Sequence, residues 1–295
     1  MSTLKQLKLR IAGVKSTQKI TKTMKMVSVS KLIKAQEQKD LAKPYANRMY
    51  NVIADLADSC SLDKAISCLL AGNGKDKTHL IVVVNSDRGL CGGFNSSITK
   101  NLKSMIQSLK DQNKDFKIIS IGKKVFDQIK STYPESIIEV IPGFSNKKID
   151  YSDAQELAAK IISLFNNQEF DVCTFIYSEF QNALKQTVTT RQLIPLNHDL
   201  KLPEKNDYHT HNIYEYEPDE STILKQILPL NLAVQIYYIL LETVASEHGA
   251  RMTAMDTATN NASDMIAKLT LEYNRSRQAS ITRELIEIIS SAEVV

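Results

Sequence analysis

Apolar residues near the start of the chain fall at Leu4, Leu7, Ile11 and Val14, then at Ile20, Met24 and Val27, then at Leu32 and Ala35. Steps of three and four place them along one side of an α-helix. This seam thins between Gln18 and Thr23, where Thr, Lys and Gln occupy it. The far end repeats the pattern: Val244, His248, Arg251, Met255, Ala258, Ala262, Met265 and Leu269, resuming at Ile281, Leu285, Ile288 and Ala292. Neither Ser2 to Lys43 nor Leu230 to Ala292 contains a proline, and each holds one glycine, Gly13 and Gly249. A helix of about 60 residues is about 90 Å long, which exceeds the diameter of a compact domain of this size. It must project and needs a partner along its length. The N-terminal helix, at about 60 Å, is the obvious one. The pattern predicts an antiparallel two-helix coiled coil built from the two ends of one chain.

The middle has a different rhythm. His79 to Asn85 reads as a buried strand, followed by a Gly-rich loop from Ser86 to Phe94 and a helix to about Asp111. Phe116 to Gly122 is a second strand with a short helix after it, and Ile137 to Ile141 a third. Ser152 to Phe165 is amphipathic, with Ser152 as its cap. Asp171 to Tyr177 is a further strand, and the alternation in Gln186 to Ile194 is that of an edge strand. Strands alternating with helices predict a Rossmann-like α/β domain with a mainly parallel sheet. The domains expected are an arm over 1–60, the α/β domain over 76–200 and a second arm over 215–295.

Composition agrees with helix-rich structure. The 295 residues include nine Gly and seven Pro, where average usage gives about 20 and about 15. With 43% hydrophobic and 24% charged residues the chain is no disordered polymer. Cys60, Cys68, Cys91 and Cys173 form no CxxC pair, which argues against structural zinc and a secreted disulfide framework. No stretch reads as a membrane span, and the first residues lack the apolar core of a signal peptide. Charge is uneven: residues 1–43 carry ten Lys and Arg10 against Glu37 and Asp40, a net of +9 in a chain of net +4. Nucleic acid, an anionic membrane or an acidic protein surface could each answer that field.

Signs of catalysis are poor. Gly72-Asn-Gly74-Lys75 precedes a strand, and its lysine is followed by Asp76, so it reads as a linker and not a phosphate loop. Ser86 to Phe94 follows a strand and opens a helix, but its glycines do not match GxGxxG and Asp87 would repel an anion. Cys91 has no neighbouring base. His209 and His211, with His198, Asp199 and Asp207, could bind a metal but read as a solvated polar loop. Glu284 and Glu287 lie one turn apart and read as surface charge. No catalytic, cofactor or metal site is expected. Two other readings stay open: a nucleic-acid-binding protein with a basic coiled-coil arm, and a small α/β enzyme with a helical dimerisation arm.

Three segments carry a resemblance: Gln18 to Leu32, Ser86-Asp-Arg-Gly-Leu-Cys-Gly-Gly-Phe-Asn95, and Ala245-Ser-Glu-His-Gly-Ala-Arg-Met-Thr-Ala-Met255 continuing through Tyr273 to Glu287. Together they resemble the gamma-subunit family of F-type rotary ATP synthases in its bacterial form, in order over essentially the whole chain. The family signature ends Gly-Ala where this chain has Ser291-Ala292. There is no inserted Cys-bearing segment of the chloroplast type, so thiol control is not expected.

The resemblance implies a non-catalytic central rotor shaft. It would couple rotation of the membrane c-ring to successive conformational changes in catalytic beta subunits during ATP synthesis or hydrolysis. The paired terminal helices would enter the alpha/beta hexamer. The α/β domain would sit with the epsilon subunit on the c-ring, at the cytoplasmic face of the bacterial inner membrane as a peripheral protein. It also implies interfaces. Lys22, Met24 and Lys25 would face an acidic lever of beta. Arg251, Arg277, Gln278, Thr282, Glu284 and Glu287 would meet loops of beta and alpha. Arg88, Gly89, Leu90 and Cys91 would lie near epsilon or the c-ring.

Overall fold

The computed structural model describes residues 4–59, 68–144, 149–196 and 220–292. Elements run α1 (Leu4–Ser59), α2 (Cys68–Ala71), β1 (Thr78–Val84), α3 (Phe94–Asp111), β2 (Asp115–Ile121), α4 (Lys123–Ile129), β3 (Ile137–Ile141), α5 (Tyr151–Asn166), β4 (Val172–Phe180), β5 (Gln186–Ile194) and α6 (Glu220–Ala292). The chain divides into two compact units, Met1–Ser30 with Arg251–Val295, and Lys31–Ala250. Both long helices contribute to each unit.

In the second unit the strand order is β3-β2-β1-β4-β5. β1 pairs in parallel with β2 and β4, β2 in parallel with β3, and β5 closes the edge antiparallel to β4. A central strand in such a sheet is covered on both faces and so reads as an unbroken apolar run, as β1 does. Leu80, Val82 and Val84 point into one core with α5 and α6. Ile81 and Val83 point into the other, with α3 and α4. At the base of the sheet Asp171 accepts hydrogen bonds from Asn73 Nδ2 (2.5 Å), Lys77 N (2.8 Å) and Thr78 N (2.9 Å). Burial alone would raise its pKa, but these donors win and hold it below the usual carboxylate range.

The structure adds to the sequence reading and in places corrects it. Both long helices run through prolines, Pro44 in α1 and Pro229 in α6. A helical proline frees the carbonyl four residues back. Those carbonyls belong to Asp40 and Lys225, both exposed, where water can replace the lost donor. Leu224 and Leu228 meanwhile bury against Ile53 of α1, which carries α6 back past the proline. Helix α5 is entered at Asp150, not Ser152: Asp150 N donates to the Asp153 carboxylate at 3.1 Å. Finally, α6 does contain an apolar window of membrane-span length, and 67% of that window is buried inside the chain. Leu232, Ala233, Ile236, Ile239, Leu240 and Leu241 spend it on the sheet core.

In the first unit α1 and α6 pair antiparallel. Gln18 Nε2 donates to Ser263 Oγ at 2.7 Å, the Thr21 and Thr259 hydroxyls meet at 2.8 Å, and Lys25 Nζ reaches Asp256 Oδ1 at 2.6 Å. Paired positions sum to 280 or 281, a register that sets Leu4 level with Ser276 and Arg277. The inward positions of α1 are Leu7, Ile11, Val14, Gln18, Thr21, Lys25 and Ser28, an unbroken four–three alternation. The seam therefore does not shift to Ile20 and Val27, which are 57% and 53% exposed. A helix surface can keep only one register toward its partner, and here the polar residues hold it. Their polar atoms are satisfied in place: Ser28 and Thr21 also return hydrogen bonds to the carbonyls of Met24 and Gln18. On α6, Met255, Ala262 and Leu269 face inward, but Met265 is exposed and Ile266 takes the position beside it. Beyond Leu269 the more covered positions are Tyr273, Ser276 and Ser280, whereas Ile281, Leu285 and Ile288 are exposed. The described part of α1 starts at Leu4, so nothing of it reaches them.

Candidate partner-docking surfaces

The terminal helix pair offers mixed chemistry. Lys22, Arg277, Gln278, Thr282, Glu284 and Glu287 are all exposed, and Met24 is half-buried. Lys25 is occupied by Asp256. Arg251 is buried. Near the end of α6, Thr282 Oγ1 donates to Gln278 O at 2.9 Å, and Ser280 Oγ to Glu284 Oε1 at 3.3 Å. Between these polar groups stand the exposed side chains of Leu271, Ile281, Leu285, Ile286, Ile288 and Ile289. On α1, Leu9, Ile20, Met26 and Val27 are exposed in the same way. Apolar side chains grouped in solvent mark a surface meant for a partner. The sequence showed the spacing of these residues but placed Ile20, Val27, Ile281, Leu285 and Ile288 in the seam.

The Gly-rich loop lies at the carboxyl ends of the strands. It is fastened from beneath. Ser86 is fully buried, its Oγ 2.8 Å from Asn95 Nδ2 and 2.7 Å from the Arg88 carbonyl. Asn95 Nδ2 also lies 3.2 Å from Cys91 Sγ. Cys91 is thus a buried anchor and not an exposed thiol. Asp87 also has a structural use in the loop. Its carboxylate accepts from Lys123 N (3.1 Å) and Gly143 N (2.9 Å), tying the loop to the ends of β2 and β3. A Cβ on Gly143 would stand 3.1 Å from that carboxylate, so the approach suits glycine. Held this way, the loop turns Arg88 outward. Leu90 is 61% exposed in the left-handed region at φ 62°. A non-glycine residue pays strain there, and strain is kept where a site needs it.

In open α/β sheets the ligand crevice opens at the strand carboxyl ends where the strand order reverses. Here that point lies between β1 and β4, and α6 fills it. Ser246 Oγ donates to Ser178 O at 2.9 Å, and Phe180 N donates to Glu242 Oε2 at 2.9 Å. Gly249 sits so close that a Cβ would come within 2.9 Å of the Phe180 ring. Burial, then the charge of Glu242, pushes the Tyr238 phenol pKa well above its ordinary value. The thiol of Cys173 is likewise pushed up by burial and is inert core. Among the described residues no three His, Cys, Asp or Glu side chains group as a metal site. His198, Asp199, Asp207, His209 and His211 lie outside the described residues. Lys39, Glu242 and Ser246 escaped the sequence reading, where nothing sets them apart from surface polar residues.

The family model for ATP synthase matches residues 3–295. The ATP synthase gamma chain of Pelagibacter ubique is 50% identical over 293 residues, 99% of each chain. That of Rhodospirillum rubrum is 48% identical over 299 aligned residues, spanning all of both chains. Among solved structures, a chain of the Tetrahymena thermophila mitochondrial ATP synthase central stalk and c-ring matches with TM-score 0.60 and 25% identity, over 81% of this chain and 99% of that one. A chain of the Euglena gracilis mitochondrial enzyme shares the fold with TM-score 0.67 at 18% identity, over 99% and 94%. With the helix pair, the mainly parallel sheet and the filled crevice, these matches establish that the chain belongs to the ATP synthase gamma-chain family, the non-catalytic rotor shaft of that enzyme.

Proposed function

We propose that this chain couples rotation of a membrane c-ring to sequential change in the catalytic beta subunits of a bacterial proton-translocating ATP synthase. The helix pair is read as turning inside the alpha/beta hexamer, and the α/β body as the foot beside epsilon and the c-ring. The complex is peripheral to the membrane through the ring, on the cytoplasmic face of the inner membrane. Arg277, Gln278, Thr282, Glu284 and Glu287 meet beta and alpha, as do Lys22 and Met24. Lys25 and Arg251 support those contacts from within or beside the seam. The loop Arg88–Cys91 presents Arg88 and Leu90 to a neighbouring subunit of the foot.

One observation carries this reading: the end of α6 exposes charged and apolar side chains together, Arg277, Glu284 and Glu287 beside Ile281, Leu285 and Ile288. Such a surface suits contacts that form and break during rotation, since exposed ion pairs are each worth about 0–1 kcal/mol. The test is a thiol at Gln278 in the assembled complex, joined to beta by a cleavable bifunctional reagent. ATP hydrolysis is expected to stop on cross-linking and to return on cleavage. Hydrolysis that continues with the cross-link formed, or a chain that does not co-migrate with an ATPase hexamer, overturns the reading.

A further inference from the structure

The Lys31–Ala250 unit contains a polar junction that the proposed contacts leave unexplained. Glu242 is 2% exposed, yet it is an acid on an otherwise apolar stretch of α6. Its Oε2 accepts from Phe180 N at 2.9 Å, and its Oε1 lies 3.2 Å from Lys39 Nζ of α1. Tyr238 is hydrogen-bonded to the same carboxylate. The Lys39 ammonium also stands 5.6 Å from the centroid of the Phe180 ring. Phe180 ends β4, past Ile176, the last residue of β4 that pairs with β1. Ser178 and Phe180 share the edge of β4 that β1 has left. Glu242 and Ser246 take up that edge one helical turn apart. One carboxylate therefore touches the sheet, α6 and α1 at once.

A buried ion pair adds little net stability over a well-packed apolar pair of the same shape, so stability alone is a poor account of it. What it supplies is fixed geometry. Directional bonds resist sliding and twisting of a helix on a sheet, which apolar packing, being non-directional, resists less. We propose that Glu242 and Lys39 are positioning residues that form the joint through which turning force passes between the α/β body and its two long helices. This rests on the rotor reading above and adds to it where the body grips the helices.

The test uses the assembled membrane enzyme and compares ATP-driven proton pumping with ATP hydrolysis. In Lys39→Met/Glu242→Gln both charges go, while the glutamine oxygen can still accept from Phe180 N. The double variant is expected to assemble and to hydrolyse ATP within about twofold of wild type. Its ratio of pumping to hydrolysis is expected to fall at least about threefold. Lys39→Arg, which keeps the pair, is expected to hold the wild-type ratio. An unchanged ratio in the double variant overturns the proposal, because a residue serving only to fold the chain would lower the amount of complex and leave the ratio alone. Failure of the double variant to assemble also overturns it, since the pair would then serve folding and not coupling. If the wild-type chain itself does not join an ATPase complex, the rotor reading fails instead.

Discussion

The helix pair and the α/β body solve the problem of holding together in opposite ways. The body buries Leu80, Ile81, Val82, Ile118, Ile119 and Phe175 completely, with both faces of its sheet covered. The helix pair buries few apolar side chains and carries Gln18, Thr21, Lys25 and Ser28 in its seam. Hydrogen bonds between such groups replace bonds to water and contribute about 0.5–1.5 kcal/mol each, against about 1.5–3 kcal/mol for a fully buried large apolar side chain. The body is built to stand by itself. The helix pair is built to keep its register and to leave its outer faces for others.

Substitutions can break that contrast, starting with the core. Phe175→Ala, at a fully buried centre of β4, is expected to cost about 3–5 kcal/mol in denaturant unfolding. Only a loss below about 1 kcal/mol would show the body to be loosely packed. Next comes Gly249→Val, whose side chain must displace the Phe180 ring. Overpacking of this kind costs about 1–3 kcal/mol, and the thermal midpoint of the isolated chain would report it. If the midpoint is unmoved, α6 does not seat tightly on β4.

Acid should act on the body through Asp171. Its folded pKa is depressed, so its contribution is present above the unfolded value near 3.8 and is lost as pH falls through the lower folded value. Unfolding free energy is thus expected to decline from about pH 5 downward, and Asp171→Asn to flatten that decline. A slope identical in the variant would assign the acid sensitivity elsewhere. The smallest effect is expected in the seam. Thr21→Val with Thr259→Val removes both hydroxyls of one contact, and exchanging both partners for apolar groups of the same shape is near neutral. A shift within about 1 kcal/mol, of either sign, is expected by calorimetry. A larger loss would make the seam's hydrogen bonds the main glue of the pair.

The periodicities exposed the elements well. Strands β1 to β5 and helix α3 were legible because a sheet covered on both faces demands apolar runs and an edge strand demands alternation. The antiparallel pairing of the termini was legible from helix length alone. The register within that pair was not. Ile20, Val27, Ile281, Leu285 and Ile288 have the right chemistry for a seam but face away, and Gln18, Thr21 and Lys25 face in. Local spacing cannot choose between two apolar stripes on one helix when the partner's hydrogen-bonding groups decide. The helices also run beyond the proline-free stretches, through Pro44 and Pro229, and Leu224 and Leu228 bury against Ile53 there.

The sequence by itself determined the element types, the pairing of its two ends and the family, because these follow from periodicity, chain length and contiguous motifs. Only the tertiary structure decided which helix faces look outward, what fills the crevice between β1 and β4, and that Glu242 meets both Lys39 and Phe180. Those outcomes depend on groups far apart in the chain. The chemistry of a buried carboxylate, like that of an exposed isoleucine, is set by the neighbours that folding brings to it.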